Sequence, residues 1–124
     1  MSATVLDTTV LIDVLRGDEA AVAWLSGREE VPACSEVTRA EVLRGVRSGE
    51  RAATERLLNA LRWIPVDERV SRRAGELGRQ HRRSHTVAVA DLLIAATTME
   101  LDAALATANT KHFPMFPRLR PPYG

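Results

Sequence analysis

Lysine is nearly missing from this chain of 124 residues: Lys111 stands alone among 17 basic side chains, and the rest are arginine. The planar guanidinium fork suits phosphate better than an ammonium point charge does. The nucleotide composition of the gene would leave the same bias. Aromatics make up only 4%, so the 45% of hydrophobic residues must pack as an aliphatic core of Leu, Val, Ile and Ala. A single cysteine, Cys34, excludes an intrachain disulfide and is compatible with a reducing compartment. No run of about 18 apolar residues occurs, so no helical membrane span is expected. The first residues lack a basic segment, an apolar stretch and a cleavage site, so no signal peptide is expected either, and the cytoplasm is the expected location. Neither repeats nor a long linker nor low-complexity tracts divide the sequence, and its length suits one domain over residues 1–124.

What is present is an alternation of short apolar runs with helical patterns. Thr4 to Leu6 reads as a buried strand. Val10, Leu11, Val14 and Leu15 follow with helical spacing, Thr8 or Thr9 serving as N-cap and Gly17 as the stop. Asp18 is placed to cap a second helix through Leu25, closed by Gly27. Val31 to Cys34 reads as a second strand, and Ser35 or Thr38 opens a helix that ends near Gly45 or Gly49. Ala52 to Leu61 is a further helix. Trp63 to Val66 is a third strand, whose Pro65 points to a sheet edge. Asp67 caps an Arg-rich helix to about His81, and Arg82 to Val87 forms a polar loop. Val89 to Met99 is apolar on nearly every face and belongs inside. Ala103 to Ala106 is a fourth strand, Thr110 to Phe113 a short turn or helix, and Met115 to Pro117 a weak last strand. The tail from Pro121 to Gly124 is expected to fray. The fold class is α/β: a three-layer α/β/α sandwich around a mainly parallel sheet.

Three acids stand in marked settings. Asp7 ends the first strand, where open α/β sheets build their sites; an Asx turn or N-cap is its ordinary structural role. Glu41 lies one turn after Val37 on a helix, where a solvated charge is the common reading. Asp91 is the only charge between Thr86 and Thr98, near a helix start that favours an anion. An isolated carboxylate in apolar surroundings needs a partner. Acids brought together from distant parts of the chain share one most easily as a divalent cation, since magnesium and manganese prefer oxygen ligands. Thr107 and Asn109 follow the fourth strand and fall at the same end of the sheet. A cation there makes a water more acidic, and phosphorus is a fitting target for it.

These residues carry a resemblance. Leu6-Asp-Thr-Thr-Val-Leu-Ile-Asp13, Glu36-Val-Thr-Arg-Ala-Glu-Val-Leu-Arg-Gly45, Ala90-Asp-Leu-Leu-Ile-Ala-Ala-Thr97 and Ala106-Thr-Ala-Asn-Thr-Lys-His-Phe113 together resemble a PIN-domain protein, most closely a VapC-type ribonuclease toxin. Each motif is weak alone; four in order are specific. The resemblance implies an endoribonuclease dependent on magnesium or manganese. Its acidic quartet falls on Asp7, Glu41, Asp91 and Asn109, with Asp7, Glu41 and Asp91 as the metal ligands. Its small hydroxyls fall on Thr8 or Thr9 and on Thr107, and together with Asn109 they orient waters or the scissile phosphate. It implies a homodimer, a cognate VapB-like antitoxin, a tRNA or other structured RNA as substrate, and products with a 5′-phosphate and a 3′-hydroxyl. Asn109 departs from the family's frequent Asp, giving an oxygen without a charge.

Basic residues supply the second half of an RNA site. Arg69, Arg72, Arg73, Arg79, His81, Arg82, Arg83 and His85 fall within 17 residues. Arg69 to Arg79 also read as a solvated helix face. Arg82, Arg83 and His85 lead directly toward Asp91 and are the candidates for phosphate contact. Trp24 and Trp63 suit core or partner contacts better than base stacking. His112 and Phe113 are expected to anchor the turn after Asn109. Two other readings fit less of the chain. One is a receiver-like signalling domain with Asp67 as phosphoacceptor. The other is a PIN-type module that binds RNA or a partner without cutting.

Overall fold

The computed structural model describes residues 3–82 and 87–124. Four strands form one parallel sheet in the order β3-β2-β1-β4: β1 (Thr4–Leu6), β2 (Ala33–Ser35), β3 (Arg62–Ile64) and β4 (Ala104–Ala106). Six α-helices accompany them: α1 (Thr8–Leu15), α2 (Glu19–Ser26), α3 (Glu36–Arg44), α4 (Arg51–Asn59), α5 (Glu68–His81) and α6 (Val89–Glu100). A 3-10 turn, Thr110–His112, follows β4.

Strand alternation sorts the core onto two faces. Val5, Ala33 and Leu105 pack on one side with Ile94, Ala95 and Ala96 of α6 and with Val70, Ala74 and Leu77 of α5. Leu6, Cys34 and Ala106 pack on the other with Val10 and Leu11 of α1, Val42 of α3 and Leu58 of α4. Helices thus cover both faces, and the three-layer expectation holds. Strands buried on both sides read as continuous apolar runs, which is why three residues of β1 suffice to announce it.

The element boundaries follow local chemistry. Asp18, Ser35 and Asp67 cap α2, α3 and α5 through their side chains, accepting from the backbone N–H of Ala21, Val37 and Val70. Gly17 takes φ +80 just beyond α1, a left-handed position that glycine fills without strain. β3 lies at the sheet edge, as Pro65 suggested.

Three expectations fail. The N-cap of α1 is Asp7, whose carboxylate accepts from Thr8 N–H, and not Thr8 or Thr9. No strand forms at Met115 to Pro117: the backbone bonds there are local turns, Phe116 N–H to the Phe113 carbonyl and Leu119 N–H to the Phe116 carbonyl. Pro114 and Pro117 have no N–H to give a ladder. The C-terminal tail is tied down, not frayed. Tyr123 donates its hydroxyl to Asp13 Oδ2 at 2.8 Å and packs beside Trp24, with ring centroids 6.3 Å apart.

Candidate active site

In this strand order the chain leaves β1 for β2 and β3 on one side and returns to β4 on the other. The switch point is the crevice beyond the C-terminal ends of β1 and β4, the place where open parallel sheets leave room for a ligand. Asp7 ends β1 there, and Thr107 and Asn109 follow β4 there. Helix α3 brings Glu41 and α6 brings Asp91.

Asp7 is 2% exposed and accepts three hydrogen bonds. Its Oδ1 accepts from Thr8 N–H at 2.8 Å. Its Oδ2 accepts from the Thr9 hydroxyl at 2.8 Å and from the Thr107 hydroxyl at 2.6 Å. Those two hydroxyls accept in turn from the backbone N–H groups of Ala108 and Asn109, at 3.2 and 3.0 Å. The result is a clamp that fixes the chain after β4 to the turn after β1 across about 100 residues of sequence. A carboxylate offers about four acceptor positions, so among the described residues Oδ1 keeps one lone pair free.

A second buried link joins α1 to α3. The Thr8 hydroxyl donates to Glu41 Oε1 at 2.6 Å and lies 3.0 Å from the hydroxyl of Thr38, which is itself fully buried. The hydroxyls of Thr8, Thr9 and Thr107 therefore hold acids in place, whereas the sequence reading had them orienting water or phosphate. Thr38 was seen only as a possible helix start. Its signal was its place one turn before Glu41 on the same helix face.

Asp91 stands in the first turn of α6. The cap position belongs to Ala88, which makes no side-chain cap bond, so Asp91 does not serve as the cap. Burial raises its carboxyl to about 6. The negative charge of Asp7 adds to the rise, His112 opposes it, and Glu41 contributes further. Thr8 bonds Asp7 through its N–H and Glu41 through its hydroxyl, and the charges of both acids act on Asp91. The three acids do not close into a cage: among the described residues no group of three His, Cys, Asp or Glu is arranged to hold a metal ion. The donor set nevertheless fits a hard cation. It is made of oxygen, it retains a free lone pair on Asp7, and its like charges oppose one another.

Asn109 precedes the 3-10 turn and makes no side-chain cap bond. Its amide nitrogen Nδ2 lies 3.0 Å from His112 Nε2, and His112 Nδ1 lies 3.5 Å from Asp91 Oδ2. Phe113 is fully buried and anchors the turn as expected. The link from His112 to Asp91 was not legible, because it joins residues 21 positions apart with no shared periodicity.

All four arginines of α5 are paired with acids. Arg69 and Arg73 pair with Glu100 of α6, at 3.3 and 2.5 Å, Arg72 pairs with Glu68 at 2.6 Å, and Arg79 pairs with Glu76. Arg82 is exposed at the end of α5. Arg83 and His85 lie outside the described residues. Asp67 accepts from Val70 N–H through Oδ1 and so has the ordinary role of capping α5, which gives the receiver-like reading no support. Trp63 donates to the Leu58 carbonyl and carries Arg39 over its ring, and Trp24 carries Arg28, so both act structurally. A hollow bordered by Thr4, Arg28 and Pro32 lies at the opposite end of the sheet and holds none of the candidate residues.

Fold, switch-point acids and threonine clamp define the class: a family model described as PIN domain matches residues 4–119, and the chain belongs to that family. Within it the chain is 47% identical over 122 residues to Ribonuclease VapC19 of Mycobacterium tuberculosis, covering 95% of this chain and 98% of that protein. It is also 47% identical over 121 residues to Ribonuclease VapC10 of the same organism, covering 95% and 91%. In structure it is similar to a toxin–antitoxin complex chain from Klebsiella pneumoniae, with a TM-score of 0.84, 26% identity and 98% of each chain covered.

Proposed function

We propose that this chain is a metal-dependent endoribonuclease, the toxin of a toxin–antitoxin pair that a VapB-like antitoxin neutralises. One observation supports the reading: Thr8 ties Asp7 to Glu41 at the switch point, and the partly buried Asp91 has its carboxyl raised first by burial and then by repulsion from Asp7. A divalent cation relieves that repulsion. The substrate class, RNA, is supported by relatives named ribonucleases that match nearly the whole chain.

Asp7, through the free lone pair of Oδ1, and Asp91 would hold Mg2+ or Mn2+, with Glu41 contributing directly or through water. Magnesium takes one or two carboxylates and keeps several waters, in keeping with a locus that has no three-carboxylate cage. When bound, the cation supplies charge stabilisation at the phosphate and a more acidic water. The chain's own residues do the rest. Thr9, Thr107 and Thr8 N–H fix Asp7, while Thr8 fixes Glu41. Asn109 offers a neutral oxygen to water or phosphate. Arg82, with Arg83 and His85, holds flanking phosphates.

The protein acts in the cytoplasm, with the buried, unpaired Cys34 in keeping with a reducing compartment. It works as a homodimer. Large apolar side chains left outside the core, Val89 at 70% exposed among them, suit cover by a second copy or by an antitoxin segment.

RNA cleavage profiling with the purified protein tests the activity. The expected result is discrete cuts with 5′-phosphate and 3′-hydroxyl ends in magnesium, abolished by chelator and restored by added metal. An RNA left intact in both magnesium and manganese overturns the reading. Light scattering at micromolar concentration tests the dimer, which is lost if only a 13.6 kDa species appears.

A further inference from the structure

We propose that His112 is a positioning residue that sets the direction of the Asn109 amide, accepting from Asn109 Nδ2 so that Oδ1 is left as the free acceptor of the site. This rests on the reading of the switch point as a ribonuclease site and adds a residue to it.

The argument is one of donors and acceptors. His112 sits between two groups of opposite character: Asn109 at 3.0 Å from Nε2, and the Asp91 carboxylate at 3.5 Å from Nδ1. An imidazolium would set two donors, Nε2–H and the Nδ2–H of Asn109, against each other at 3.0 Å, so the ring that fits this contact is neutral and carries one N–H. A carboxylate is an acceptor, so the N–H belongs on Nδ1, facing Asp91. Nε2 is then a bare acceptor and must meet an N–H of the Asn109 amide. The reverse tautomer would point the Nδ1 lone pair at the carboxylate and turn Oδ1 of Asn109 toward the ring. A carboxylate at position 109 would present an oxygen whichever way it turned. An amide has only one, so here its direction matters. Among the described residues Asn109 has no other side-chain bond to fix it, and its own backbone N–H is held by Thr107. One imidazole therefore couples the α6 acid to the amide after β4.

Two measurements test this. The first is a long-range 15N–1H correlation spectrum of the apo protein at mildly alkaline pH. The Nδ1–H tautomer is expected at His112, and a dominant Nε2–H tautomer overturns the proposal. This readout needs no RNA, so it stands apart from the ribonuclease reading, which fails instead if the wild type cuts nothing. The second compares His112→Ala, His112→Gln and His112→Asn by RNA cleavage. Gln places an acceptor oxygen near the position of Nε2, and Asn places a donor near that of Nδ1. His112→Ala should lose about 10-fold in kcat with KM held within about 2-fold. His112→Gln should recover most of that loss and His112→Asn should not. Rescue by Asn and not by Gln, or by neither, overturns the proposal. If the Ala variant does not fold, the contrast between Gln and Asn still decides.

Discussion

Helix α5 and the switch-point crevice are both rich in charge, and they use it in opposite ways. On α5 the arginines meet acids close to them: Arg72 with Glu68 and Arg79 with Glu76 one turn away, Arg69 and Arg73 with Glu100 on the helix packed alongside. Opposite charges pair, mostly in solvent, and little free energy is stored. In the crevice, among the described residues, the signs do not cancel. Asp7, Glu41 and Asp91 come from three elements, partly or wholly buried, with neutral hydroxyls and one imidazole for company. Charge density marks the first region in the sequence. Unpaired placement marks the second, and only the fold makes it visible.

The sharpest test of that contrast is Asp7→Asn. The substitution keeps the shape and removes the charge. Cleavage should fall by at least about 100-fold. The fold should survive with a loss of about 1–3 kcal/mol, because an amide must replace a buried acceptor of three hydrogen bonds. Cleavage at the parental rate would show that Asp7 serves the clamp alone.

Asp91→Asn should also abolish cleavage, but its effect on stability should have the opposite sign. The folded carboxyl is raised to about 6 from an ordinary value near 4. The proton is thus bound more tightly in the folded state. The stability tied to it is present below pH 4 and is lost as pH rises through 6. In chelator the wild type should therefore weaken between about pH 4 and 7 relative to the variant. Asp91→Asn should be more stable at pH 7.5 by about 1–2 kcal/mol and show little advantage at pH 4. Denaturant midpoints at the two pH values measure this. A variant less stable at pH 7.5 would mean that the amide lacks partners and that the acids do not repel at this locus.

The sequence was most legible where a residue's neighbours in space are also its neighbours in the chain. Caps at Asp18, Ser35 and Asp67 follow from one side chain and the next turn. β1 follows from a buried run, and the edge position of β3 follows from Pro65. Asp7 and Asp91 were singled out by the same local logic, as charges in places where a charge is costly, whereas Glu41, locally an ordinary helix charge, was singled out through the resemblance of the motifs. What escaped was every bond spanning distant segments: Thr107 to Asp7, Thr38 to Thr8, His112 to Asp91, Tyr123 to Asp13. Such contacts depend on strand order, and periodicity carries no information about it. On the arginine helix the partners Glu68 and Glu76 could be read from the helical spacing, whereas Glu100, on another helix, could not.

Glu100 offers a test of intermediate size. Its side chain is 18% exposed, accepts a hydrogen bond from Arg73 and forms an ion pair with Arg69. Glu100→Gln leaves both guanidiniums without their anion between α5 and α6, and should cost about 1 kcal/mol in thermal or denaturant unfolding. RNA cleavage should be unchanged after correction for folded fraction. A loss of cleavage without loss of stability would tie α5 to the site.

The smallest expected effect is that of Arg72→Ala. Arg72 is 78% exposed at the side chain and its partner Glu68 77%. An exposed pair one turn apart on a helix contributes about 0.3–0.5 kcal/mol and is screened by salt. The variant should unfold within about 0.5 kcal/mol of the wild type. Its KM for RNA should stay within about 2-fold, because its charge is already matched on its own helix. Arg82→Ala is the control on the other side of the comparison. It lies at the exposed end of α5, next to the segment that leads to Asp91, and it should raise KM. Its salt dependence should weaken as well, since a lost phosphate contact lowers the slope of log affinity against log salt by about 1. The two variants, measured together across a salt series, separate paired charge from placed charge. An equal rise in KM for both would return α5 to the RNA-binding surface.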